Sequence, residues 1–196
     1  MTKRELKTIM EKDASHYYSF SKWERVKMAL TNDPTYMIQK YMKYLRWEEY
    51  FHKNSLSKGK IIRFIYKIWK GIFTRKKNIL GNRLGFYIKP GSLDAGVVIY
   101  HHGSIIINGE ATLGSGCKLH GNNCIGNNGI SPKAPHIGEN VDIGFGASVI
   151  GNITIADNVK IGTGAVVVKS CFTEGALLVG VPAREISISP VDKIES

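Results

Sequence analysis

The chain has 196 residues, enough for one large domain or two small ones, with 43% hydrophobic residues and a formal net charge of +11. That composition is that of an ordinary globular protein and excludes a disordered chain, and no apolar run approaches the roughly 20 residues that span a bilayer. Residues 1–90 hold 21 Lys/Arg against 7 Asp/Glu, whereas residues 91–196 hold 6 against 9, so the charge divides the chain and directs its first half toward something anionic.

The opening MTKRELKTIMEKDASH is charged throughout and lacks the apolar core of a signal peptide, so a cytoplasmic location is expected. Ser21-Lys-Trp-Glu24 predicts a capping box at the start of a short helix. Asp33-Pro34 predicts an N-cap with proline at the first helical position, and TYMIQKYMKYLRWEEYFHK continues with helix-spaced apolar and aromatic residues. In KIIRFIYKIWKGIF, residues Ile61, Ile62, Ile65, Ile68, Trp69, Ile72 and Phe73 share one helical face. Lys60, Arg63, Lys67 and Lys70 line the other face, Arg75-Lys76-Lys77 follow, and no acid lies between Lys58 and Lys77. Such a helix either packs its apolar face on the body of the protein or lies peripherally on an anionic membrane at its inner face. Nucleic acid is not expected, because no binding motif accompanies the charge.

From Ile107 the chain reads in sixes: INGEAT, LGSGCK, LHGNNC, IGNNGI, SPKAPH, IGENVD, IGFGAS, VIGNIT, IADNVK, IGTGAV, VVKSCF. Ten of these eleven units begin with an aliphatic residue, Ser131 being the exception, and the fifth position is usually small or β-branched. A sustained period of six predicts a parallel β-helix of three flat faces, preceded by an α-helical region. The expected divisions are a basic helical region over 1–80, the repeat domain over 81–187 and a C-terminal tail over 188–196. Ile125 to Ile137 spans two repeat lengths, so no protruding loop is expected there. Cys117, Cys124 and Cys171 form an odd set without a CxxC, which suits a reducing compartment and gives no metal signature.

Counting back from Ile107 gives the unit His101-His-Gly-Ser-Ile-Ile. This places His101 in an inward slot and stacks His102 on His120, eighteen residues later. An imidazole is not needed for a coil to form and is costly to bury unpaired, whereas it suits removal of a proton near neutral pH. Backbone N–H groups at a glycine-rich coil edge are candidates to stabilise an oxyanion.

The hexapeptide units, the His of the first coils, IGFGASVIGNITIADNVKIGTGAVV and GVPAREI together resemble the serine acetyltransferase branch of the left-handed β-helix acyltransferases. In character the likeness is closest to the O-acetyltransferases of capsules and exopolysaccharides. It covers residues 80–187 well and the helical part loosely. The resemblance implies acetyl-CoA as co-substrate, no metal, a left-handed coil, and a homotrimer with active sites between protomers. It implies a catalytic His at Ile99-Tyr-His101; aligning from the repeats selects His101, aligning from Tyr87-Ile-Lys-Pro90 selects His102, and His101 is favoured. It places Phe145 and Thr163 against the pantetheine arm, and Lys169 and Arg184 near the CoA phosphates.

The sequence departs from that family where serine would be held. Tyr100 replaces the carboxylate before the catalytic His, Tyr87 falls on the position of its Asp partner, and Ala134 falls where a further His stands, with His136 displaced. Tyr100, His120, Asn122 and Asn123 are the expected acceptor contacts, since neutral hydrogen bonding suits sugar hydroxyls. Asp94 and Glu110 are candidate carboxylates for orienting the base. The expected activity is therefore O-acetylation of a sugar in a surface polysaccharide or its lipid-linked precursor. Serine O-acetylation, a hexapeptide carbonic anhydrase and a non-catalytic assembly protein are the alternatives.

Overall fold

A computed structural model describes residues 1–17, 21–56 and 59–186. The predicted tail, 188–196, lies outside them. Four helices come first: α1 (Lys3–Ser15), α2 (Lys22–Leu30), α3 (Pro34–Ser55) and α4 (Lys60–Leu84). The capping box at Ser21 and Glu24 forms as predicted, and a second forms at Thr2 and Glu5. Asp33 caps α3 with Pro34 at its start. Helix α4 continues past residue 80 and stops at Gly85, whose φ of 81° is the left-handed conformation that glycine adopts without penalty.

The apolar face read from α4 divides in two. Trp69 and Phe73 stack with Phe51, and Phe73 also stacks on Trp47, which draws that side of the helix onto α3. The isoleucines are turned away: Ile61, Ile62, Ile65, Ile68 and Ile72 are exposed.

From β1 (Phe86–Ile88) onward the chain winds through three parallel sheets. Face A carries β1, β3 (Ile105–Ile107), β6 (Cys124–Gly126), β9 (Ser148–Ile150) and β12 (Val166–Val167). Face B carries β4 (Thr112–Leu113), β7 (His136–Ile137) and β10 (Thr154–Ile155). Face C carries β2 (Val98–Ile99), β5 (Lys118–Leu119), β8 (Asp142–Ile143), β11 (Lys160–Ile161) and β13 (Leu177–Gly180), with β14 (Ala183–Ile186) added antiparallel to β13. The predicted first positions fill the prism: Ile107, Leu113, Leu119, Ile125, Ile137, Ile143, Val149, Ile155, Ile161 and Val167 are buried, as are Ala111, Cys117, Val141, Ala147, Val159 and Ala165 at the fifth.

Two irregularities correct the count in sixes. Thr112 pairs with His136, Lys118 with Asp142 and Cys124 with Ser148, each twenty-four residues on, whereas the next coil pairs at eighteen. One extra repeat length therefore bulges out between β6 and β7. Ile130 in that bulge is 90% exposed, and Asn128 Oδ1 accepts hydrogen bonds from the N–H groups of Ile130 and Ser131. The expectation of no protrusion fails because the insertion equals one unit, which leaves the phase intact; Ser131 is the irregular unit for the same reason. The second irregularity lies in the first coil, where Ile99 pairs with Leu119, twenty residues on, while Ile106 pairs with Cys124 at eighteen.

The helices close the open edge of that first coil, where no earlier coil can satisfy the backbone. Arg46 donates to the carbonyls of Leu93 (2.8 Å) and Asp94 (2.7 Å). Lys77 donates to Ile88 O, Glu49 accepts from Gly91 N–H and Asp13 accepts from Gly96 N–H. Tyr17 Oη donates to Ile99 O and accepts from Ile99 N–H. The side chains themselves are paired, Arg46 with Asp13 and Glu49, Lys77 with Glu48. Burial works against the Arg46 charge, but the hydrogen bonds and charges of Asp13 and Glu49 outweigh it and raise its pKa. Beneath, Tyr41, Met42, Leu45, Leu80 and Leu84 join Phe86, Ile88, Leu93 and Val97 in one core.

Candidate active site

The corner between faces C and A begins immediately after Ile99. Because the turn Tyr100–Ser104 holds two more residues than the turn beneath it, the inward slot belongs to Ile99, which is fully buried, and both His101 and His102 are exposed. This corrects the inward placement of His101 and the stacking of His102 on His120. Tyr100 lies over His120, with ring centroids 4.9 Å apart.

Gly103, with φ of 137°, donates to Leu84 O, and Ser104 N–H donates to Asn122 Oδ1. These two turn amides are thus committed to the fold and not free for an oxyanion. Asn122 supports this turn. Asn123 is 1% exposed: its Nδ2 donates to Gly144 O and Ala147 O, and its Oδ1 accepts from Gly121 N–H. Its hydrogen bonding is spent inside the coil, so the expected acceptor contact for Asn123 is not met.

The stacked core residues Ile99, Leu119, Ile143 and Ile161 and then Leu178 define successive coils at this corner. Two residues beyond each stand His101, Gly121, Phe145, Thr163 and Gly180, so the candidate base and both candidate pantetheine contacts line one edge. At about 4.8 Å per coil, His101 and Thr163 lie roughly 14 Å apart along it. His101 and Phe145 close over Gly121: a Cβ built there would sit 3.4 Å from His101 Cβ and 3.3 Å from the Phe145 ring. Gly144 and Gly162 need no ligand to explain them, since a Cβ at either would press within 3 Å of the next coil. Gly146 and Gly164 have φ of 73° and 69°.

Arg184 is exposed on β14, opposite Val179. Lys169 is exposed at the corner between faces A and B, so one chain does not bring it to the edge that carries Phe145. Asp94 and Glu110 also stand at other corners, and Tyr87 lies under the Lys89 ammonium, whose hydrogen bond and charge lower the phenol's pKa. His136 bonds to Thr112 on face B. Among the described residues no three His, Cys, Asp or Glu side chains converge as a metal site.

The carboxylate that the sequence reading missed is Asp142. Its Oδ1 lies 2.8 Å from His120 Nε2, with both side chains partly exposed. Its signal was its outward position directly before Ile143, obscured because the bulge moves it twenty-four residues from Lys118.

No protein-family model matches the chain. A stretch of 110 residues is 36% identical to a serine acetyltransferase of Synechococcus elongatus, covering 55% of this chain and 45% of that protein. A stretch of 128 residues is 32% identical to a putative colanic acid biosynthesis acetyltransferase, WcaB, of Escherichia coli K12, covering 56% of this chain and 78% of that protein. The chain belongs to the serine acetyltransferase-like hexapeptide acyltransferases. It spans about half the length of the serine acetyltransferases that it matches in sequence. The fold likeness to solved hexapeptide acyltransferases is wider. Soybean serine acetyltransferase superposes with a TM-score of 0.71 at 21% identity, over 93% of this chain and 69% of that one. The Brucella abortus enzyme in complex with coenzyme A gives 0.66 at 20% identity, over 92% and 66%. As in these hexapeptide acyltransferases, the coil is a left-handed parallel β-helix behind a helical N-terminal region.

Proposed function

We propose that the chain is an acetyl-CoA-dependent O-acetyltransferase with His101 as general base. The observation that carries this reading is the shared edge, on which His101 and Phe145 both stand against Gly121, in line with Thr163. Imidazole removes the proton from an acceptor hydroxyl as its oxygen forms a bond to the thioester carbonyl. The C–S bond then breaks, and the imidazolium returns the proton to the CoA sulfur. Phe145 and Thr163 hold the pantetheine arm, and Arg184 meets its phosphates. Lys169 contributes only across a neighbouring protomer, so the working form is a homotrimer with the edge between copies.

The acceptor is a sugar hydroxyl of a surface polysaccharide or its lipid-linked precursor. Tyr100 presents a ring and a neutral hydroxyl where an amino acid would require a carboxylate for its ammonium, and His120 beside it is already paired with Asp142. The relative with the greater coverage is named for colanic acid biosynthesis. Serine O-acetylation is the second reading, favoured by the 36% identity to a serine acetyltransferase. The enzyme works in the cytoplasm, in peripheral contact with the membrane that carries the precursor.

Release of CoA thiol by the purified chain, with acetyl-CoA and either free serine or neutral oligosaccharides, tests this reading. Oligosaccharide acetylation with serine ignored is the expected result; rapid turnover of serine alone overturns the sugar assignment. His101→Ala lowers kcat by about 10²–10⁴-fold while His102→Ala stays within several-fold. The reverse order moves the base to His102, and no loss in either removes the mechanism.

A further inference from the structure

Helix α4 leaves an apolar stripe uncovered. Ile61, Ile65, Ile68, Ile72 and Ile79 recur at steps of four, three, four and seven, so they share one face. Ile61 is 79% exposed and the other four are each more than a third exposed, with Phe64 beside them. The adjoining seam, through Tyr66, Trp69 and Phe73, already packs on α3. Five isoleucines in line at the surface form a continuous patch rather than the scattered exposure usual for single apolar residues.

The segment that carries the stripe is of one sign. No Asp or Glu occurs between Glu49 and Asp94, while Lys60, Lys67 and Arg75 run along one flank and Lys76 and Arg83 stand near its far end. A second copy meeting this face about a two-fold axis would set these cations against themselves with no carboxylate from the segment to offset them. An anionic lipid surface offers what both features require: acyl chains for the isoleucines and headgroup charge for the lysines. No helix among the described residues is long and apolar enough to cross a membrane, so the fitting geometry is a helix lying in the interface.

We infer that the exposed isoleucine stripe of α4, with its lysine flank, docks the protein on an anionic bilayer. This deepens the membrane contact in the reading above. It assigns that contact to named residues of α4.

Co-sedimentation of the full chain with large unilamellar vesicles tests the assignment. Binding to vesicles of phosphatidylglycerol and phosphatidylcholine is expected, weakening as salt is raised, with little binding to phosphatidylcholine alone. The double variant Ile65→Asp/Ile68→Asp, and separately Lys60→Glu/Lys67→Glu, reduce the bound fraction on the order of tenfold or more. Both keep the acetyl-CoA turnover of the unaltered chain on a soluble acceptor without vesicles, so loss of docking is distinguishable from failure of the catalytic reading. Absence of binding to anionic vesicles, or unaltered binding by both variants, overturns the proposal. So does a fall in solution mass of Ile65→Asp/Ile68→Asp by sedimentation equilibrium, which would make the stripe a contact between copies.

Discussion

Gly121 is where the coil and the proposed chemistry constrain the same atom. Its φ of 117° lies outside what other residues adopt readily, and its missing Cβ leaves room beside it for both His101 and the Phe145 ring. Gly121→Ala therefore strains the backbone and crowds both His101 and Phe145. A stability loss of about 1–3 kcal/mol is expected in urea unfolding, together with a fall in kcat/KM for acetyl-CoA. A variant that loses stability but retains full kcat/KM would show that the seating of His101 and Phe145 beside Gly121 has no part in turnover. Asn123 makes the opposite point. Its amide is polar and stands next to the candidate site in sequence, yet its partners lie wholly within the coil.

Among elements, the joint between the helices and the first coil carries the greatest penalty if broken. Arg46 holds two edge carbonyls and two carboxylates while 2% exposed. Arg46→Ala leaves Asp13 and Glu49 buried without their cation and the carbonyls of Leu93 and Asp94 without a donor. A loss of about 3–5 kcal/mol is expected, measured by the urea midpoint. The repeat faces were legible in the sequence because an aliphatic residue every sixth position has one physical use. The joint was not, since Arg46 meets partners thirty-three and forty-seven positions away and nothing periodic links them. Nor were the lengths of the turns. The two extra residues at Tyr100–Ser104 moved the histidines outward, and an insertion of one whole unit before β7 disguised itself as regular repeat. The candidate site was thus legible in its residue types, His101, Phe145 and Thr163, while the pairing of His120 with Asp142 required the coil register.

At the scale of the whole molecule, protons are held by groups buried within the helical cap and the prism. Burial pushes the Tyr17 phenol up from 10 to about 12 and the Cys117 thiol from 9 to about 12, and it raises Tyr41 as well. Below about pH 8 these groups are protonated in both folded and unfolded chains and contribute no pH dependence. Above it the unfolded chain releases protons that the folded one retains, so stability falls as pH rises from 9 to 12. Each group contributes about 1.4 kcal/mol per pH unit within its own interval. Urea midpoints measured across that range should decline, and Tyr17→Phe should flatten the decline above pH 10. A midpoint unchanged between pH 9 and 11 would contradict the burial of these groups.

The far end of the prism has a consequence of its own. A parallel coil whose last rung lay bare would template another molecule head to tail, and the addition would repeat without limit. Here β14 folds back antiparallel on β13 and presents a rung of the wrong direction, while helices occupy the opposite end. That reversal breaks the parallel register in which a further coil would add.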